Sequence, residues 1–173
     1  MIKISTAGDI LASLLTGDSC CMVFLHNTRD ENTALKIMKE GYRFEDQLSY
    51  SCDRVNPDDS VEINYFLVER KEYGKFTIII EIDKKLFRKY SSLADHSDIH
   101  FEDIISIALP VLGDNDEYIY TLAPQYIKGY LDIASGKFRK NRIFNPAFEP
   151  ALYMDNHRRL TSGEQDAGNT EQQ

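Results

Sequence analysis

The sequence has few of the residues that small proteins use as covalent staples. It contains three cysteines, Cys20, Cys21 and Cys52, with no CxxC pair, and it has no tryptophan. Three cysteines at these positions do not form a disulfide framework. A chain of 173 residues is long enough to bury a hydrophobic core without one. We therefore expect a folded domain in a reducing, cytoplasmic setting.

Long apolar segments and targeting signals are also missing. No apolar stretch approaches the roughly 20 residues that a membrane-spanning helix needs. The N-terminus does not combine the basic and apolar regions of a signal peptide. We therefore expect no membrane partner.

Positive charge is scarce. Lysine and arginine number 20 against 28 aspartate and glutamate residues, which gives a formal net charge of −8 at pH 7. Such a composition disfavours a broad basic surface for nucleic acid or anionic membrane. The run Lys137–Arg142 is the exception, and it allows a local basic strip.

Common nucleotide and metal motifs are absent. The sequence contains no GxGxxG motif and no P-loop, so any dinucleotide would bind without a Rossmann half. His96 and His100 have a spacing that could hold a metal on a helix, but their segment has the composition of a loop. We expect no metal site.

Helical and strand patterns are mixed along the chain, which is typical of an α+β fold. We predict strands at residues 20–28, Leu48–Cys52, Lys75–Ile82, Ile104–Leu109, Glu117–Thr121 and Tyr126–Ile133. Helices are predicted within residues 1–19, over residues 31–41 and from about Ser60 to Gly74, with Asp59 or Ser60 as the cap of the last. We expect one domain over residues 1–150 and a tail over residues 151–173. The tail should be disordered from about residue 161, where large apolar residues end.

The first motif lies at the end of an apolar strand. The run Met22–Leu25 predicts a buried strand that ends on the polar residues His26–Thr28. Thr28 and Glu31 have capping-box spacing, which predicts a helix start, and Gly41 predicts its end. A polar group between a core strand and a helix is a usual place for ligand binding.

The second motif runs from Asp116 to Leu131. Glu117 follows a short turn and begins a strand, and the segment ends on Tyr130 and Leu131. A glutamate at such a position, taken alone, is usually a solvated turn residue. The two motifs together allow a more specific interpretation.

Together they resemble the first and last motifs of the ADP-ribosyltransferase superfamily, in the branch of diphtheria toxin and the poly(ADP-ribose) polymerases, which carries a His-Tyr-Glu set. The resemblance covers about residues 20–133. It implies an α+β core of two packed mixed β-sheets with flanking helices. It also implies that Glu117 is the catalytic residue, which hydrogen-bonds the nicotinamide ribose and aligns the acceptor.

The resemblance implies the NAD-binding residues as well. His26 would hold the adenine-side ribose, next to Thr28 of the same motif. The main chain of Asn27, where the family has glycine, would hold the nicotinamide amide, and asparagine tolerates unusual backbone angles. A tyrosine should stack on the nicotinamide ring; Tyr50 is the first choice and Tyr65 the other.

The implied reaction transfers ADP-ribose from NAD to a macromolecular acceptor, expected to be protein, and releases nicotinamide. Its oxocarbenium-like transition state would be stabilised by a carboxylate. One alternative is a degenerate module of the same fold that binds NAD, ADP-ribose or a partner protein without turnover. A further alternative, RNA 2′-phosphate transfer, needs several basic residues and is disfavoured by the acidic composition.

Overall fold

The computed structural model describes residues 6–94 and 100–150. His96 and the predicted tail at residues 151–173 lie outside them. The α-helices are α1 (Ala7–Leu14), α2 (Glu31–Glu40), α3 (Ser60–Glu69), α4 (Lys84–Ala94) and α5 (Phe101–Ile104). The strands are β1 (Cys21–Thr28), β2 (Tyr42–Glu45), β3 (Asp53–Val55), β4 (Phe76–Asp83), β5 (Val111–Leu112), β6 (Tyr118–Leu122), β7 (Ile127–Asp132) and β8 (Lys137–Lys140).

The strands form two sheets, as predicted. One sheet has the order β3-β1-β4-β7-β8 and the other the order β2-β6-β5. Every strand pairing between these elements is antiparallel. The predicted α+β class is therefore confirmed, but the predicted mixed sheets are wrong. Short reversals such as the one between β7 and β8 can join only antiparallel neighbours.

The centre of the large sheet is β4, which is buried over Phe76–Ile82. Its β-branched run is typical of a strand that is covered on both faces. One face packs in the larger core cluster with Phe24 and Tyr126. The other face packs under α1 and α3, through Leu11 and Ile63.

The helix after β1 begins at Glu31, as predicted, but its N-cap is a different residue. Asp30, not Thr28, is the N-cap of α2, and its carboxylate accepts a hydrogen bond from the Asn32 amide at 3.0 Å. Thr28 instead remains in β1, paired with Phe76. An aspartate caps a helix at least as well as a threonine, so the strand keeps Thr28. Gly41 ends α2 with a φ of 97°, as predicted.

Two predicted strands are wrong. Leu48–Tyr50 forms a 3-10 turn, and β3 follows it at Asp53–Val55. The segment Ile104–Leu109 contains the end of α5 and a single bridge from Ser106 to Leu122. In both segments the apolar side chains are buried without forming a strand. Leu48 reaches the core from a 3-10 turn, and Ile104 and Ile105 reach it from the end of α5.

A buried carboxylate ties three elements together. Glu81 on β4 is fully buried and accepts hydrogen bonds from the Thr16 amide and hydroxyl, beyond the end of α1. The Lys128 ammonium on β7 lies 3.2 Å from the same carboxylate. Both oxygens of Glu81 are thus paired, which the burial of a charge requires.

We predict that Lys128→Ala lowers the free energy of unfolding by about 3 kcal/mol, because it leaves the Glu81 charge buried with fewer partners. Lys85→Ala removes an exposed lysine and should change it by less than about 0.5 kcal/mol. Urea denaturation of the two variants measures the difference. Equal effects in both would show that the Glu81 pair does not stabilise the fold.

Candidate functional site

The end of β1 extends beyond its neighbour. Strand β3 pairs only with Val23–Leu25, whereas β4 pairs with β1 as far as Thr28. On the β3 side, His26–Thr28 therefore have no strand beside them among the described residues. This free edge is where the first motif meets the turn at Ser49–Ser51 and the end of α3.

The His26 ring is held by one backbone carbonyl. Its Nδ1 lies 3.0 Å from the Ser51 oxygen, and the Tyr42 hydroxyl donates to the same oxygen at 3.2 Å. Because a carbonyl only accepts, Nδ1 carries the hydrogen and Nε2 is left as an acceptor in the neutral ring. No described residue hydrogen-bonds Nε2. Burial is the main cause that lowers the pKa of His26, against the Ser51 bond and the charge of Asp53.

Asn27 is buried and its side chain is used by the fold. Its amide nitrogen donates to the Arg70 carbonyl at 3.0 Å, and its amide oxygen accepts from the Thr77 hydroxyl at 2.7 Å. These bonds join β1 to β4 and to the end of α3. The side chain of Asn27 is thus committed to the fold, whereas the resemblance would use its main chain.

A cavity of about 250 Å³ lies against the free edge. It is lined by His26, Asn27, residues 49–53, Arg70 and Tyr73, and we call it the Arg70 cavity. Tyr50 is 71% exposed and lines it, so His26 and Tyr50 share one cavity.

The ion pair in the Arg70 cavity was not predicted. Arg70 donates two hydrogen bonds to Asp53, at 2.8 and 3.0 Å, and its guanidinium lies 5.7 Å from the Tyr73 ring centre. The bond to Asp53 raises the pKa of Arg70. Such an exposed pair adds little stability, but it fixes a planar cation in the wall. Nothing in the sequence marks it, since the two residues lie on different elements.

A second cavity, of about 490 Å³, also borders His26. It is lined by His26, Thr33, Lys36, Ile37, Glu40, Gly41, Tyr42, Arg43 and Thr121, and we call it the Arg43 cavity. Its walls are α2, β2 and β6. His26 is the residue that both cavities share.

Glu117 lies along the same sheet face as the Arg43 cavity. Arg43 pairs with Thr121 and Glu45 with Ile119, so these four side chains point to one face of β2 and β6. The Glu117 carboxyl contacts that of Glu45, which extends the face. This contact, followed by the charge of Asp46, raises the pKa of Glu117. From Arg43 to Glu45 the strand advances by about 7 Å.

The remaining predicted residues lie outside the two cavities that His26 lines. Glu117 lies outside both cavities that His26 lines. Thr28 also lies outside them; its backbone packs against Gly74, where a Cβ atom would come within 2.1 Å of the Thr28 carbonyl. Tyr65 is 65% exposed on α3 and lines neither cavity. The structure therefore brings His26 and Tyr50 together, with Glu117 further along an adjoining face.

Comparison of the chain with protein families, with curated proteins and with solved structures found no match. Within the described residues, no group of three or more His, Cys, Asp or Glu side chains could hold a metal ion. No helix in the same residues is long and apolar enough to cross a membrane.

We predict that acid destabilises the protein through His26. The unfolded chain takes up a proton at the ordinary histidine pKa of about 6.5, whereas the folded state resists protonation. Below about pH 6.5 the unfolded state binds more protons, so the free energy of unfolding falls, by at most about 1.4 kcal/mol per pH unit.

Urea denaturation from about pH 7.5 to pH 5 measures this dependence. His26→Gln keeps an amide donor for Ser51 and should remove the His26 part of the slope. Parallel pH curves for the wild type and the variant would contradict the account.

Proposed function

We propose that the protein binds NAD beside His26 and transfers ADP-ribose from it to a macromolecular acceptor, with release of nicotinamide. The observation that supports this best is the position of His26. Its Nε2 has no partner among the described residues, and His26 lines two cavities at a free strand edge. A neutral imidazole acceptor fits a ribose hydroxyl, which is a hydrogen-bond donor.

The two cavities suit the two halves of a dinucleotide. Each has a size near that of known small-molecule sites, with volumes of about 250 and 490 Å³. Arg43 lines the larger cavity and supplies donors for phosphate oxygens. In this proposal the main chain of Asn27 holds the nicotinamide amide, and Tyr50 offers an exposed ring for stacking.

In this proposal Glu117 is the catalytic carboxylate. Cleavage of the nicotinamide–ribose bond builds positive charge on the ribose, which a nearby carboxylate stabilises. The contact with Glu45 raises the pKa of Glu117, which makes its carboxylate a better base for the proton of the acceptor group. NAD would have to extend from His26 along the face of Arg43 to reach it. A protein acceptor remains our proposal, and the reaction as proposed uses no metal.

Two observations favour the alternative of a binding module without turnover. Glu117 lies outside both cavities, and the side chain of Asn27 is committed to the fold. A chain of this kind would hold NAD or ADP-ribose and leave the glycosidic bond intact. RNA 2′-phosphate transfer has less support, because the Arg70 guanidinium in the site is already paired with Asp53.

Incubation with NAD labelled in its adenylate half separates these functions. We predict nicotinamide release and label on protein with the wild type. Glu117→Gln should lower the rate at least about hundredfold, since it removes the carboxylate, while its NAD affinity stays within about twofold. Glu69→Gln, an exposed glutamate at the end of α3 that lines neither cavity, is the matched control and should behave as wild type.

His26→Ala should weaken NAD binding about tenfold, the effect of one lost hydrogen bond, as measured by calorimetry. NAD binding without nicotinamide release by the wild type would establish the binding module. Unchanged turnover in Glu117→Gln would remove Glu117 from the reaction. If NAD did not bind at all, both forms of the proposal would fail.

A further inference from the structure

The cations of this acidic chain are not evenly spread. Lys39 on α2 and Arg139, Lys140 and Arg142 in and after β8 line one cavity of about 550 Å³, away from His26. Leu35 and Met38 form its apolar floor. We call this cavity the basic groove. Its cations come from the run that the sequence marked as a local basic strip and from a helix that is distant in sequence.

These cations lack acidic partners. Among the described residues, none of the four lies within ion-pair distance of a carboxylate. Arg139 contacts the Tyr130 hydroxyl, and that hydroxyl donates a hydrogen bond to Glu31 at 2.6 Å. Four like charges around one depression repel one another, and an anion bound there would relieve this repulsion.

The groove is held in shape by a buried side chain. Asn141 is 7% exposed, and its amide nitrogen lies 3.0 Å from the carbonyl oxygens of both Pro124 and Ile127. Its backbone N–H donates to the Lys128 carbonyl at 2.9 Å. Asn141 thus fixes the chain between Lys140 and Arg142. A fixed segment loses less conformational entropy when its flanking cations bind a ligand.

Lysine on an edge strand also has a simpler role. β8 is an edge of the large sheet, and charged residues there prevent pairing with another chain. That role does not account for Lys39, which lies on α2, or for Arg142, which follows the strand. It also does not account for the apolar floor.

We propose that the basic groove binds single-stranded nucleic acid. Two of its four cations are arginines, whose planar forks match phosphate oxygens. Its apolar floor can take the face of a base, while the rim cations contact successive phosphates. The net charge of −8 argued against a broad nucleic-acid surface, but it does not oppose a groove whose lining contains no carboxylate.

The groove and the Arg43 cavity lie on two sides of α2. Leu35, Met38 and Lys39 face the groove, and Thr33 and Lys36 face the cavity. The helix between them is about 10 Å thick. A bound strand could therefore supply the ADP-ribose acceptor, and that role alone rests on the proposed function. The binding itself does not depend on NAD.

Fluorescence anisotropy with a labelled 12-nucleotide DNA or RNA strand, without NAD, tests the binding. We expect a Kd on the order of 10 µM near physiological salt. Four phosphate contacts predict a slope of about −2.8 in log K against log salt, and hence about fiftyfold weaker binding at 200 than at 50 mM salt. Inorganic phosphate and a polyglutamate peptide serve as competitors.

The double variant Lys140→Gln/Arg142→Gln should halve the salt slope to about −1.4, since each lost contact removes about 0.7. Lys39→Gln should reduce the magnitude of the salt slope by about 0.7. Because Lys39 lies on α2, this variant shows whether the effect of the double variant comes only from a local disturbance of β8. Lys71→Gln/Lys85→Gln removes two exposed lysines outside the groove and should leave the slope unchanged.

Absence of saturable binding at 50 mM salt would overturn the proposal and leave the cations as edge protection. Equal losses in the groove variants and the control would also overturn it. Competition by polyglutamate at the same concentration as by the oligonucleotide would assign the groove to an acidic protein instead. Because NAD is absent throughout, a failure of oligonucleotide binding would not argue against the NAD site. A failure of NAD binding would likewise not argue against the basic groove.

Discussion

The structure depends on the pairing of β1 with β4 over eight residues, from Cys21 with Asp83 to Thr28 with Phe76. This long antiparallel ladder fixes the end of β1 in a position that β3, three residues long, cannot cover. Asn27 reinforces it by bonding Thr77 across the ladder and Arg70 outside it. The free edge at His26, and with it the two cavities, is a consequence of this difference in strand length.

Much of the fold could be predicted because its strongest signals are local. The apolar runs of β1 and β4, the glycine stop at Gly41 and the Asp59 cap of α3 each follow from a few neighbouring residues. Strands β2, β3, β5 and β8 were missed because each is only two to four residues long. In addition, β2 and β3 pair with strands that are far away in the chain. Leu48 lies in a turn and Ile104 in a helix, although both had been predicted in strands. Their burial depends on tertiary packing, which a local sequence pattern does not contain.

The candidate site was predictable in part. The end of an apolar strand marked His26, and the structure brings Tyr50 to the same cavity. The Arg70–Asp53 pair and the structural use of the Asn27 side chain could not be predicted, since both require knowing that α3 ends beside β1. Glu117 meets Glu45 only because β2 pairs with β6, and the sequence gives no sign of β2.

The central claim is that NAD occupies the free edge beside His26. A crystal structure of the protein soaked with NAD tests it most directly. The account predicts a ribose hydroxyl within hydrogen-bond distance of His26 Nε2, the nicotinamide amide on the main chain of Asn27, and the dinucleotide extending toward Glu117. NAD bound elsewhere, or a His26 edge left empty at saturating NAD, would contradict it.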